Sequence, residues 1–378
     1  MNRMMKNPFF FGKMVEGSRF TDREVETQRL LSNFDNGINT ILISPRRWGK
    51  SSLVKKAGEI ALKSGMKVVW LDAFSIRTEQ EFYTEYAQAV VKASSSKWED
   101  WMEVLKQSLK QIVPKITIGA DPLTSFSVHF DWQEVAKNVN EILDLPERIA
   151  RLKNIRMVVC IDEFQNISSF PQSLAFQKQL RSVWQKHQSV GYCLYGSKFH
   201  MMQELFERQS MPFFRFGDLM HLDRIAEGHW ASYIHQQFRV TGKRIDDSIV
   251  YRIISVVNSH AYYVQQLSHL IWARTDKAAT LAIFDEAIED MLNQNAILYQ
   301  RDTEDLSATQ LNFLKAVASG ETTNLSSASL LSRYRLGTSA NVTKIKKQLL
   351  NKEIIDIRKK IVSFIDPVYE LWFKREIL

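Results

Sequence analysis

Cysteine is nearly missing from this chain of 378 residues; Cys160 and Cys193 are the two present. Two thiols cannot build a disulfide framework or a cysteine-rich zinc site. Both lie inside apolar runs that read as neighbouring strands, where a buried thiol is the default. Long hydrophobic runs are also lacking: no apolar stretch approaches the ~20 residues that span a bilayer. Met1 to Phe11 carries basic residues and Phe9-Phe10-Phe11, but no long h-region and no small-residue cleavage site. A cytoplasmic location with no membrane partner is expected. Low-complexity tracts and internal repeats are absent, so neither disorder nor a repeat array organises the chain.

The composition supports globular folding, with 45% hydrophobic and 11% aromatic residues. The length suggests two or three domains. A formal charge of +8 and a pI near 9.2 are compatible with nucleic acid as a partner without requiring it.

The most specific stretch is Thr40-Ile-Leu-Ile-Ser-Pro-Arg-Arg-Trp-Gly-Lys-Ser-Ser-Leu53. An apolar run rich in β-branched residues feeds a turn, then Gly-Lys-Ser, then a helical pattern. This is the strand–loop–helix setting of a phosphate-binding loop. Backbone N–H groups of such a loop and of the first helical turn form a concave anion site, to which the helix dipole adds partial positive charge. The candidate cradle is Ser44, Pro45, Arg46, Arg47, Trp48, Gly49, Lys50, Ser51 and Ser52. Gly49 lets the backbone approach a phosphate without a Cβ in the way. Lys50 reaches β and γ phosphates, and the Ser51 hydroxyl is a candidate Mg²⁺ ligand. Ser44 stands where the loop pattern has its first glycine.

A second half of the same site is expected at Arg156-Met-Val-Val-Cys-Ile-Asp-Glu-Phe-Gln165. A continuous apolar run of this length reads as a strand buried on both faces. It delivers Asp162 and Glu163 to the carboxyl end of the strand, where open α/β sheets place their ligands. Asp162 would hold Mg²⁺ through water, and Glu163 would orient and polarise an attacking water. No Asn-Lys-x-Asp string of the guanine-reading type is present, which favours ATP over GTP.

Strand-like runs recur at 40–43, 67–72, 156–161, 191–195 and 218–222, with helical patterns between them. The alternation predicts a parallel sheet covered by helices on both faces. Residues 74–152 are longer than a simple crossover and read as an insertion. Within it, Glu79–Ala93 and Trp98–Ile112 look helical, and Ile116-Thr-Ile and Phe126–Phe130 look like a hairpin around Gly119-Ala-Asp-Pro122. The insertion serves either a partner surface or structural elaboration. After Asp223 the pattern is helical and predicts an all-α lid over the nucleotide. From about Asp305 come three short helices and a hairpin turning at Lys359-Lys360, the winged-helix arrangement. The expected domains are therefore 1–223, 224–304 and 305–378.

With these motifs in place, the chain resembles the archaeal-type ATPase family, a branch of P-loop ATPases related to AAA+ and STAND proteins. The resemblance runs over nearly the whole chain. Phe20-Thr-Asp-Arg-Glu24 is similar to the family's N-terminal F-x-x-R-E box. Ser-Pro-Arg-Arg-Trp-Gly-Lys-Ser-Ser is similar to its G-P-R-R-x-G-K-T-S loop, with Ser44 as the departure bearing on the tightness of nucleotide binding. Ile161-Asp-Glu-Phe-Gln165 is a telling string for the family. Tyr195-Gly-Ser197 resembles a sensor-1 position, where Ser197 would hydrogen-bond the γ-phosphate or attacking water; a serine capping the next helix is the alternative. Pro212-Phe-Phe-Arg215 lies where relatives carry a γ-phosphate-sensing arginine, and Arg215 would act within the chain or across an oligomer interface. His260-Ala-Tyr-Tyr-Val-Gln-Gln resembles the lid-helix box G-x-P-Y-Y-x-x-Q, with Ala261 in place of the proline.

The resemblance implies an ATPase using Mg²⁺, whose nucleotide state moves a lid and a winged helix. The 339–351 helix carries Lys344, Lys346 and Lys347, with Asn341 and Thr343 near its start, and the wing carries Arg358-Lys-Lys360. These suit double-stranded DNA by phosphate contacts. A STAND-like signalling ATPase with a protein partner on the winged helix is the alternative. A module holding nucleotide without turnover is a third reading. A nucleotide-dependent homo-oligomer is compatible with each.

Overall fold

The computed structural model describes residues 6–14, 20–94, 115–118, 126–129 and 132–378, with backbone alone for 115–118, 126–129 and 132–137. The chain divides into two compact units, Arg23–Asp223 and Met1–Asp22 with Arg224–Leu378.

The first unit is built on five parallel strands. In chain order its elements are α1 (Glu24–Asp35), β1 (Thr40–Ile43), α2 (Lys50–Lys63), β2 (Lys67–Asp72), α3 (Glu79–Ser94), β3 (Lys115–Ile118) and β4 (Phe126–His129). There follow α4 (Trp132–Leu143), α5 (Leu145–Leu152), β5 (Met157–Asp162), a 3₁₀ turn at Phe164–Ser169, α6 (Ser173–Trp184), β6 (Val190–Gly196), α7 (Phe199–Glu207) and β7 (Asp218–His221). The sheet order is β2-β5-β6-β1-β7, and every pairing within it is parallel. β1, β5 and β6 occupy the middle, which is why their sequences read as unbroken apolar runs. The expected fold class, a P-loop parallel sheet followed by a helical region and a winged helix, is the one observed.

Because β6 lies between β1 and β5, the register sets Ile43 beside Gly196 and Ile161 beside Leu194. The residues that follow these three strands, Ser44, Glu163 and Ser197, therefore emerge along one edge. Cys160 and Cys193 are register partners, both buried and both free thiols, as the apolar context implied. One face of the sheet is closed by an aromatic cluster in which Trp184 stacks on Tyr192 at 4.3 Å and on Tyr86 at 5.9 Å. Tyr86 comes from α3 and Ile149 from α5, so these parts of the insertion complete the main core. The hairpin expected in the insertion is present as β3–β4. The helix expected at Trp98–Ile112 and the 119–122 turn lie outside the described residues.

The second unit contains α8 (Glu227–Val240), α9 (Asp247–Val256), α10 (Ala261–Arg274) and the long α11 (Leu281–Glu304). Then come α12 (Ala308–Ala318), α13 (Ala328–Arg333), α14 (Ser339–Asn351), the hairpin β8 (Ile355–Arg358)–β9 (Ile361–Phe364) and α15 (Pro367–Glu376). Three helices followed by a hairpin is the winged-helix order. This unit differs from the expected division in two ways. The helices of 224–304 and the winged helix share a continuous hydrophobic core rather than separate ones. And the N-terminal segment packs here: Phe9 is 1% exposed, its ring 6.0 Å from Tyr233 and 5.6 Å from Phe238. Asn7 Nδ2 donates to the Phe9-facing helix α10 at His269 O (3.1 Å), and His269 Nδ1 lies 3.0 Å from Phe9 O.

Asp366 explains why the two halves of this unit form one body. Its Oδ1 caps α15 through the amides of Val368 (2.8 Å) and Tyr369 (3.0 Å). Its Oδ2 accepts from the hydroxyls of Tyr263 on α10 and Tyr299 on α11. Both tyrosines are buried, so each hydroxyl needs such a partner.

Candidate functional site

The loop between β1 and α2 turns through two left-handed residues, Arg47 (φ 63°) and Gly49 (φ 90°). Gly49 is the helix N-cap and no side chain caps α2. The first-turn N–H groups of any helix lack intrahelical acceptors, so they suit an anion held by the loop. Ser44 is fully buried and is not among the left-handed residues, and its hydroxyl donates to Pro45 O at 3.1 Å. The glycine missing at this position is therefore not demanded by left-handed backbone. Arg46 and Arg47 are exposed at the apex, whereas Trp48 is buried.

Five side chains converge beside this loop. Ser51 Oγ donates to Asp162 Oδ2 at 2.9 Å. Asp162 Oδ1 accepts from the amide of Glu163 at 2.8 Å. Lys50 Nζ lies 4.0 Å from Glu163 Oε1, and the lysine side chain is only 7% exposed. Ser197 donates to Glu163 Oε2 through its hydroxyl (2.9 Å) and its amide (3.3 Å). A sixth participant had no role assigned from the sequence: Gln165 Nε2 donates to the same Oε2 at 2.6 Å. The string Ile161-Asp-Glu-Phe-Gln165 contained it, but only the fold brings its amide back to the strand end.

These contacts set the charges. Burial pushes the Asp162 carboxyl above its usual value, against the pull of Lys50, Ser51 and the Glu163 amide. Burial acts the same way on Glu163, but hydrogen bonds from Gln165 and Ser197, with the Lys50 ammonium, outweigh it and hold this carboxyl below its usual value. Glu163 is thus an ionised carboxylate beside a buried cation.

Lys50, Ser51, Asp162, Glu163 and Ser197 are brought together as the sequence implied. Arg215 is not. It precedes β7, whose first residue Asp218 pairs with Thr40 at the start of β1. That places it at the amino end of a parallel sheet, opposite the P-loop. It is exposed, left-handed (φ 53°), with its guanidinium 5.2 Å from the Phe214 ring centroid. Action of Arg215 on the site of its own chain is at odds with this position.

On the winged helix, Lys344 and Lys347 of α14 and Lys359 and Lys360 of the wing are exposed. The wing lysines make the hairpin turn with φ of 49° and 70°. Lys346 is half-buried, and burial lowers its basicity. Asn341 Nδ2 donates to Leu336 O (2.7 Å), Thr343 Oγ1 to Ser339 O (3.1 Å), and Arg358 pairs with Asp356 at 2.7 Å. Asn341, Thr343 and Arg358 are thus engaged in contacts within the domain. Among the described residues no helix is long and apolar enough to cross a membrane.

Residues 297–375 match the family model of a probable winged helix domain. The structure is similar to that of a Walker-type ATPase of Pyrococcus abyssi, with 16% identity and a TM-score of 0.70 over 97% of this chain and 99% of that one. It is also similar to the ORC2 protein of Aeropyrum pernix in complexes with ADPNP and ADP, at 16% identity and a TM-score of 0.54 over 94% and 93%. A search among curated proteins gives no match. The fold is that of a Walker-type P-loop ATPase carrying a C-terminal winged helix. Within that class its structural neighbours are archaeal Walker-type ATPases, in line with the resemblance carried by the P-loop and Ile161-Asp-Glu-Phe-Gln165.

Proposed function

We propose that the chain binds ATP with Mg²⁺ and hydrolyses it, using the nucleotide state as a conformational switch. The observation that carries this reading is the Ser51–Asp162 hydrogen bond beside the buried Lys50 and the ionised Glu163. A hydroxyl and a carboxylate in contact at a helix start form the donor set of a phosphate-bound Mg²⁺ site, where phosphate oxygens and waters fill the remaining positions. Ser51 and Asp162 would hold the ion, which when bound supplies positive charge to the phosphate oxygens. The loop amides and Lys50 bind and orient the phosphates. Glu163 accepts the proton of the attacking water. The Aeropyrum pernix ORC2 protein, of the same fold, has been obtained with ADPNP and ADP, which supports a nucleotide ligand.

The experiment is a pair of variants read by fluorescent-ATP binding and single-turnover phosphate release. Lys50→Ala loses binding. Glu163→Gln keeps the affinity and loses turnover by about 10²- to 10⁴-fold. Hydrolysis by Glu163→Gln at the wild-type rate would remove Glu163 from its role.

The switch is coupled to double-stranded DNA through Lys344, Lys347, Lys359 and Lys360, by phosphate contacts without base reading. A STAND-like docking of a protein on the winged helix is the second reading, favoured by the internal engagement of Asn341 and Thr343. Arg215, exposed away from its own site, acts on the nucleotide of a neighbouring copy in an ATP-dependent oligomer.

A further inference from the structure

We propose that Gln165 is a positioning residue that pins one oxygen of Glu163, leaving the other as the proton acceptor. The inference rests on the hydrolytic reading above and names the group through which its base is oriented.

Oε2 of Glu163 receives three donors: Gln165 Nε2 at 2.6 Å, Ser197 Oγ at 2.9 Å and Ser197 N at 3.3 Å. Three donors exceed the two in-plane lone pairs of a carboxylate oxygen, so Oε2 has no capacity left for a water. Oε1 lies on the Lys50 side, 4.0 Å from the ammonium, and is the oxygen that can take a proton.

Gln165 is fitted to this one contact. It is 0% exposed, and its Oε1 makes no hydrogen bond among the described residues. A buried amide with a purely structural task satisfies both its ends. Rotating the amide would instead aim its oxygen at the Glu163 carboxylate, so the observed orientation is the one the charge selects. The slot for this amide exists because β6 ends in Gly196: a Cβ there would stand 1.8 Å from Gln165 Oε1. Two strands thus cooperate, β5 supplying the glutamate and glutamine and β6 supplying a serine and an empty side-chain position.

The arrangement also revises the part of Ser197. Its single hydroxyl hydrogen is given to Glu163, so contact with a γ-phosphate would compete with anchoring the base.

The test uses Gln165→Met, which keeps length and removes the donor. Single-turnover hydrolysis falls by about 10- to 100-fold, while KM and the affinity for fluorescent ATP change less than about twofold. In a Glu163→Gln background the same substitution has no further effect, because Gln165 acts through Glu163. A crystal structure of the nucleotide-free Gln165→Met protein shows the Glu163 carboxylate displaced from its present position. An unchanged rate, an equal loss in both backgrounds, or an unmoved Glu163 each overturns the proposal. If the wild-type protein hydrolyses no ATP, the hydrolytic reading fails and the crystal structure alone decides the positioning.

Discussion

Gly196→Ala is the sharpest perturbation available to the Arg23–Asp223 unit. The added methyl would stand 1.8 Å from Gln165 Oε1 and 3.0 Å from both Gln165 Cδ and Met202 Sδ. Ordinary contact begins near 3.4 Å, so the glutamine oxygen must retreat by roughly 1.6 Å. Gln165 is completely buried, and its neighbours leave no solvent into which it can swing. A retreat of that size breaks the 2.6 Å bond to Glu163. Loss of a hydrogen bond to a charged group costs about 1.5–3 kcal/mol, and overpacking about 1–3 kcal/mol more. A total of about 2.5–6 kcal/mol lowers the melting temperature of this unit by on the order of 10 °C. Scanning calorimetry reads the transition directly. The same substitution in a Gln165→Ala background should cost less than about 1 kcal/mol, since the opposing amide is gone. A Gly196→Ala protein that melts with the wild type, or that loses as much in both backgrounds, would refute the reasoning.

Acid stability gives a separate measure. The Asp144 carboxyl is lowered to about 2, first by its hydrogen bond to His187 and then by Arg148, against the effect of burial. Its folded value lies below its ordinary 3.8, so the stabilisation is full above that pH and is lost as pH falls towards 2. The side chain is 35% exposed, so solvent screening reduces an ideal ~2.4 kcal/mol to about 1 kcal/mol. Urea titrations from pH 5 to 2 should show wild type losing that increment and Asp144→Asn losing none of it. For the winged helix, neutralising Lys344, Lys347, Lys359 and Lys360 together should reduce the log–log salt slope of duplex binding by about 3 to 4. Wild-type protein that binds no duplex at low salt, with or without ATP, would exclude that surface as a DNA site. Arg215→Ala should lower turnover, and mixing it with Lys50→Ala copies should recover part of it; no recovery would argue against action between copies.

The features written locally in the chain were legible in the sequence. β1, α2 and β5 were readable because a buried parallel strand is an apolar run and a phosphate loop has fixed spacing. The winged helix was readable because helix and hairpin patterns follow one another without interruption. α1 escaped notice, as its start at Arg23 is left-handed and carries no side-chain cap to mark it. The docking of Phe9 joins segments more than 220 residues apart, which periodicity cannot report. Gln165 escaped for the same reason: what fixes its amide is Gly196, on another strand. That Asn341 and Thr343 bond to backbone carbonyls was not legible, because polar residues at a helix start serve the backbone as readily as a ligand.

The second unit is discontinuous, with Phe9 on one side of the Arg23–Asp223 unit in sequence and α8 and α10 on the other. On the ribosome, the whole Arg23–Asp223 unit emerges before the helices that bury Phe9 exist. At about 5–20 residues per second, the aromatic N-terminal segment waits on the order of 10 s with its apolar rings exposed before the helices that bury Phe9 are made. Closure of this segment waits on helices encoded more than 200 residues later.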